Sequence, residues 1–193
     1  MHIDERVLEP VRARFGDPGR ISWEGDVSEH ELALVTHNPR RRHDVTLFVE
    51  NGERLALIRK RHFAPGIWRT PGGGVKPGED FVAGVAREGL EETGAEIELR
   101  AYLVRAKATF HHAGTTIAWQ THVFSAITET EELNALDTEE IEVARWGTRA
   151  ELAGPIRERG RLDPARLRLE LVDLLQVVLC GLAERRRSHL VKV

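Results

Sequence analysis

The chain of 193 residues has a single cysteine, Cys180, so no disulfide can close within it. Cys180 lies between Leu179 and Gly181 with no zinc-binding spacing around it. Lysine is nearly absent, with 4 residues against 24 arginines, and asparagine and glutamine together number 5. GC-rich coding or heat adaptation produces such usage. No apolar run is long enough to span a bilayer. The most apolar stretch, Leu171 to Ala183, is short and interrupted by Asp173 and Gln176. The opening residues Met1-His2-Ile3-Asp4-Glu5-Arg6 are polar and charged, unlike a secretory leader. An overall basic balance is missing too. The formal net charge is −3, which provides no general positive field for nucleic acid. Repeats and low-complexity tracts are absent. These absences predict a soluble cytoplasmic protein without membrane or nucleic-acid partners. The length suits one domain with extensions.

Three parts are present. Residues 1–40 read as an N-terminal accessory segment, with helices from Glu5 to Phe15 and from Ser28 to Val35. Arg40-Arg41-Arg42 closes that segment and reads as a solvated basic corner in preference to a phosphate site. Residues 41–153 alternate strands around one helix. Val45–Val49 and Leu55–Ile58 flank Asn51-Gly52, a type I′ hairpin signal. Ile97 to Phe110 and Thr115 to Ala126 flank His111-His112-Ala113-Gly114, a second hairpin. Ile141 to Trp146 forms a further strand, followed by a short helix near Thr148 to Leu152. Residues 154–193 form a C-terminal extension with a helix from Asp163, where Pro164 suits the first turn. Leu167, Leu171, Leu174, Leu175, Val178 and Leu182 recur at helical spacing. Leu169, Val172, Val177 and Leu179 make it apolar on a second side, so core cover and a homodimer contact stand as equal readings.

The stretch Gly73 to Ala95, GGVKPGEDFVAGVAREGLEETGA, carries the chemistry. A glycine-rich turn leads into a helix from about Glu79 that stops at Gly94. Glu88, Glu91 and Glu92 stand at i, i+3 and i+4 and project together. Like charges at these spacings cost roughly 0.2–0.5 kcal/mol per pair. The negative end of the helix dipole disfavours them further. A cation offsets both effects, and clustered carboxylate oxygens suit Mg²⁺ or Mn²⁺ with room left for substrate phosphates.

Gly73, Glu79 and Arg87-Glu88-Gly89-Leu90-Glu91-Glu92-Thr93-Gly94-Ala95 fall at the spacing G-x5-E-x7-R-E-U-x-E-E-x-G-U, where U is aliphatic. This resembles the Nudix box. One position departs from the pattern, because Gly89 stands where a bulky aliphatic residue is usual. A neighbour filling the gap, or local loosening, is expected there. The resemblance implies an α/β/α sandwich with a mixed sheet, to which the N-terminal segment and C-terminal helix are added. It also implies that Glu88, Glu91 and Glu92 are metal ligands, joined by the backbone carbonyl of Gly73. Arg87 would orient the carboxylates by ion pairing. Glu79 would support the helix start, where an anion is favoured, and a simple capping charge is the equal reading.

A general base must take a proton from the attacking water. In the family it is a box glutamate or one from a later loop. The acidic loop Glu129 to Glu142 offers Glu139 or Glu140 near a strand entrance, and Glu140 is favoured. Trp68 and Arg69 precede the glycine loop and are candidate substrate-binding residues, through base stacking and phosphate contact. Core packing for Trp68 and a surface ion pair for Arg69 are the competing readings.

Marks of particular subfamilies are missing. Phe110 and His111 stand where ADP-ribose hydrolases carry a proline. His111 and Ala113 stand where many dinucleoside-polyphosphate hydrolases carry a tyrosine. The coenzyme A motif is absent, as is the cysteine quartet of zinc-bearing NADH hydrolases. Cys180 is misplaced for the isoprenoid isomerases. What the resemblance implies is a Mg²⁺-dependent hydrolase of a phosphoanhydride. Its small-molecule nucleotide substrate would be a nucleoside diphosphate linked to another moiety or a nucleoside triphosphate. The alternative is a non-catalytic nucleotide sensor, against which the intact Arg87-Glu88…Glu91-Glu92 set speaks.

Overall fold

The computed structural model describes residues 3–38 and 41–161. Helix α1, Glu5–Phe15, starts because the Asp4 carboxylate accepts the amides of Arg6 at 2.9 Å and Val7 at 3.3 Å. Its Leu8, Val11 and Phe15 are buried at helical spacing. Helix α2, Glu29–Thr36, opens with a reciprocal capping box between Ser28 and Glu31. Helix α3, Phe81–Thr93, is capped by Asp80, which accepts the Ala83 amide at 2.9 Å. It begins slightly later than the sequence predicts, because Glu79 is engaged elsewhere. Gly94 ends it at φ 70°, and a side chain there would strike the Asn134 carbonyl at 2.0 Å.

Six strands form one mixed sheet: β1 Gly19–Asp26, β2 His43–Asn51, β3 Arg54–Lys60, β4 Glu98–His112, β5 Thr115–Ile127 and β6 Ile141–Gly147. Their order is β1-β4-β5-β2-β3-β6. β1 pairs with β4 and β2 with β5 in parallel, and the other pairings are antiparallel. β1 is not foreseen in the sequence. It joins residues 3–38 to the sheet edge and ties that segment to the body of the domain.

Two apolar layers sandwich the sheet. On one face α1 and α3 pack Leu8, Val11, Phe81 and Val85 onto Val45, Leu47, Val49, Tyr102 and Phe124. On the other, Val35 of α2 and Leu152 and Ile156 cover Phe48, Leu55, Leu57, Val104 and Phe110. Leu152 and Ile156 lie in a helical run of Arg149–Glu151, a π-helical stretch Leu152–Ile156 and Arg157–Arg161. The arrangement is an α/β/α sandwich with a mixed sheet.

Both hairpins form. At the first, only Gly52 has positive φ, 62°, and Asn51 pairs with Arg54. Glycine therefore takes the first central position, the type II′ placement, in place of type I′. At the second, Ala113 and Gly114 both have positive φ, as type I′ requires. The C-terminal helix from Asp163, with its homodimer reading and Cys180, lies outside the described residues. No helix among the described residues is long and apolar enough to cross a membrane.

Candidate active site

The site is built where β2 and β3 part. These strands pair only at Glu50–Leu55 and Asn51–Arg54, next to their turn. Beyond it the segment before α3 is laid between them. Arg69 exchanges two backbone hydrogen bonds with Ile58 at 2.8 and 3.0 Å. The Pro71 carbonyl accepts the Leu47 amide at 2.9 Å, and the Gly73 carbonyl accepts the Val45 amide at 2.8 Å. Gly72 lies at φ 146°, with the space for a side chain already taken by the Val45 carbonyl at 2.1 Å. At Gly73 a Cβ would fall 2.0 Å from Oε2 of Glu88. The loop is thus glycine where the box carboxylate lies against the backbone.

Arg87 organises the outer half of this site. Its Nε and Nη2 donate to the two oxygens of Glu79 at 2.7 and 3.0 Å, a bidentate pair. Nη1 donates to Glu88 at 3.0 Å and to Glu91 at 2.6 Å, while Nη2 also reaches the Gly74 carbonyl at 3.1 Å. The Glu88 carboxylate in turn accepts the Gly74 amide at 3.1 Å. Glu79 therefore grips Arg87 and does not cap the helix. That guanidinium, above all, lowers the Glu79 carboxyl to a pKa of about 2, and the same contact raises Arg87 further. The penalty for the like charges of Glu88 and Glu91 is offset inside the chain by this cation.

Glu92 points inward instead. It is buried, and its Oε2 accepts the Gly72 amide at 2.6 Å. Burial raises its pKa, against the pull of Lys60 and then Arg69. Lys60 approaches from the end of β3, with Nζ 3.2 Å from Glu92 Oε1 and in direct contact with Glu140. Glu140 is brought there by the acidic loop, which folds back on the end of α3. The amides of Asn134, Leu136 and Asp137 donate to the carbonyls of Thr93 and Glu91 at 2.9 Å. These carbonyls have no partner within the helix, so the loop completes it. The Asp137 carboxylate then takes the amides of Glu139 and Glu140 at 3.2 and 3.0 Å.

Gly73, Arg87, Glu88, Glu91, Glu92 and Glu140 accordingly lie around one loop and one helix face. Trp68 and Arg69 are half-buried, with Arg69 at the loop. The Trp68 ring is covered by the guanidiniums of Arg145 and Arg59, 4.2 and 5.3 Å from its centroid. Arg69 donates to the carbonyls of Thr70 and Gly72 at 2.9 and 3.3 Å, bracing the loop. Two residues that the sequence does not assign to the site lie there, the second from the triplet read as a solvated basic corner. One is Lys60. The other is Arg41, whose guanidinium stands against Gly74, 2.7 Å from where a Cβ would be. It donates from Nε to the His43 carbonyl at 2.9 Å and lies 5.9 Å from the Trp119 ring. Among the described residues Arg41 makes no ion pair. Its position in an arginine triplet was the only signal in the sequence.

Among the described residues no three His, Cys, Asp or Glu side chains converge closely enough to hold an ion as they stand. The reason is visible. Arg87 separates Glu88 from Glu91, and Lys60 caps Glu92.

The family model described as NUDIX domain matches residues 39–169. A protein named NAD-capped RNA hydrolase NudC, from Stutzerimonas stutzeri (strain A1501), is 38% identical over 79 residues. These are 41% of this chain and 29% of that protein. A protein named NAD(P)H pyrophosphatase NUDT13, mitochondrial, from Mus musculus, is 25% identical over 150 residues, 78% of this chain and 42% of its own. The chain therefore spans less than half the length of these curated relatives. Among solved structures, the E. coli ORF135 protein aligns with a TM-score of 0.49 and 21% identity, covering 75% of this chain and 91% of that one.

Proposed function

The chain belongs to the NUDIX domain family, and we propose on that premise that it is a Mg²⁺-dependent hydrolase of phosphoanhydride bonds, with Mn²⁺ as an alternative ion. Its substrate in this reading is a nucleoside diphosphate linked to a second moiety, or a nucleoside triphosphate. The printed names of the NudC and mouse relatives favour a dinucleotide diphosphate within that class. The observation that carries the proposal is the fork of Arg87, which gathers Glu79, Glu88 and Glu91 beside a backbone loop with no side chains.

The residues fit such an ion. Arg87 engages one oxygen each of Glu88 and Glu91, and the place of a Gly73 side chain is left to the Glu88 carboxylate. Glu88, Glu91, Glu92 and the Gly73 carbonyl would hold it. A bound Mg²⁺ neutralises phosphate charge and lowers the pKa of a water. Arg87 keeps Glu88 and Glu91 beside the loop, and these carboxylates would have to draw together with Glu92 to share the ion. Glu140, beside Glu92, would take the proton of the attacking water. The guanidinium of Arg41, which makes no ion pair among the described residues, would meet the substrate phosphates.

The test is release of phosphate or a nucleoside monophosphate from a panel with Mg²⁺. It includes NADH, an NAD-capped oligonucleotide, ADP-ribose, sugar nucleotides, dinucleoside polyphosphates and nucleoside triphosphates. Turnover that vanishes in Glu91→Gln supports the reading. Undiminished turnover in that variant refutes it. Preference for one substrate by more than about 10⁴ would indicate dedicated buried hydrogen bonds to it.

A further inference from the structure

Lys60 is one of only 4 lysines in the chain, and it is buried. Its orientation is set by strand geometry. Ala56, Ile58 and Lys60 alternate onto one face of β3, and Ala56 belongs to the apolar layer under α3. At Lys60 the register with β6 shifts: Arg59 pairs with Val143 and Lys60 with Ile141, leaving Glu142 as the extra residue. Such a bulge re-aims side chains near a sheet edge. On the opposite face, Arg59 pairs with Glu142 at 2.8 Å. Lys60 instead ends between Glu92 at 3.2 Å and Glu140.

A buried carboxylate requires a positive partner. Arg87 does not serve Glu92, because its donors are shared among Glu79, Glu88, Glu91 and Gly74. Arg69 directs its guanidinium to loop carbonyls. Lys60 is the cation in contact with Glu92 Oε1, and it holds Glu140 with the same ammonium. An ammonium and a divalent ion cannot share one carboxylate oxygen at contact distance without strong repulsion.

We propose that Lys60 is the internal counter-ion of the metal-free site. It competes with a divalent cation for Glu92 and keeps Glu140 pinned until that cation displaces it. This rests on the reading of the glutamate face as a cation site. Loading with metal then does two things at once: it moves the lysine off Glu92 and frees Glu140. Lys60 acts here as a positioning residue, and its effect is on metal affinity.

Mn²⁺ is the probe, because free Mn²⁺ is counted directly by electron paramagnetic resonance. Wild type, Lys60→Gln and Lys60→Arg are titrated without substrate, and thermal unfolding is followed with and without Mn²⁺. Lys60→Gln is expected to bind Mn²⁺ roughly tenfold or more tightly. Its metal-free form should melt lower than wild type, and Mn²⁺ should raise its Tm by more. Lys60→Arg keeps the charge and should bind within about threefold of wild type. If Lys60→Gln does not fold, Lys60→Met carries the same comparison. Equal or weaker Mn²⁺ binding in the uncharged variant, with wild type still binding, overturns the counter-ion role alone. Failure of both wild type and variant to bind Mn²⁺ overturns the cation-site reading beneath it.

Discussion

Replacing Arg87 by methionine removes the cation that holds three carboxylates and a carbonyl, and its cost follows from Glu79. That carboxyl is lowered from its ordinary 4.5 to about 2, mainly by the Arg87 hydrogen bonds, which corresponds to about 3 kcal/mol. Solvent screening takes a share of this, and the Lys76 amide, which also donates to Glu79, accounts for another, so the part owed to Arg87 is about 1–3 kcal/mol. Left without the guanidinium, Glu88 and Glu91 also repel at i, i+3, adding roughly 0.2–0.5 kcal/mol. Arg87→Met is therefore expected to lose about 1–3 kcal/mol of stability at pH 7, measured by urea unfolding with EDTA present. The pH dependence provides a second check. A carboxyl with a lowered folded pKa contributes fully above its unfolded value near 4.5, and this contribution is lost as pH falls toward 2. The gap between wild type and Arg87→Met should thus be open at pH 7 and shrink steadily below pH 4.5. Arg87→Lys keeps the charge without the fork and should fall between the two. A loss under about 1 kcal/mol, or a gap independent of pH, would refute the reasoning.

Glu140→Gln is expected to lower kcat by about 10²–10⁴ with little change in KM, and an ordinary rate would move the base onto α3, most simply to Glu88. Gly89→Leu is expected to destabilise by about 1–3 kcal/mol through overpacking, since a Cβ there meets Ile97 Cδ1 at 2.6 Å and Leu47 Cδ1 at 3.3 Å. Ile97→Ala in the same chain should restore most of that in thermal unfolding, and additive losses would show that the two residues do not share the space. His122 is buried with its Nε2 unpartnered, and burial lowers its pKa to about 3. The unfolded chain binds this proton first, so about 2–3 kcal/mol should be lost as pH falls from 6.5 to 4.5, before carboxyls held near 2 titrate. A His122→Gln variant should show a flatter profile in that window, and an unchanged slope would assign the loss to other groups.

What the sequence made legible follows the reach of each interaction. The start, the stop and the carboxylate face of α3 depend on contacts within one or two turns, so spacing in Gly73 to Ala95 reveals them. Glu79 is harder to read. Its partner Arg87 is eight residues on and meets it only because the glycine loop doubles back over the helix. Strand β1 escaped because its half-exposed Gly19–Asp26 run includes glycine and charge, and because its partner, β4, is far along the chain. Lys60 was hidden for another reason. A lysine at a strand end is normally solvated, and this one shares the face of Ala56 beneath α3, beside the bulge against β6. For Trp68 and Arg69, nearness in sequence to the glycine loop does not reveal their partners, the guanidiniums of Arg59 and Arg145 for one and the loop carbonyls for the other.

Gly89 gives the clearest case of a local rule overridden by tertiary packing. Glycine in mid-helix costs about 1 kcal/mol relative to alanine and breaks the box pattern at its aliphatic position. Taken alone, it predicts a gap in the core beneath α3. Instead the residue is buried, and the methyl groups of Ile97 and Leu47 occupy the volume that a side chain would take. Ile97 follows the helix stop at Gly94, and Leu47 comes from β2. The volume is thus supplied from both sides of the site. The backbone of α3 lies correspondingly close to β2, the strand whose Val45 and Leu47 amides hold the glycine loop. A bulky residue at 89 would push α3 off that strand and carry Glu88 and Glu92 away from Gly74 and Gly72, the loop amides they accept. The departure from the pattern and the fit of the carboxylates to the loop are therefore one structural fact, with Ile97 as its compensating residue.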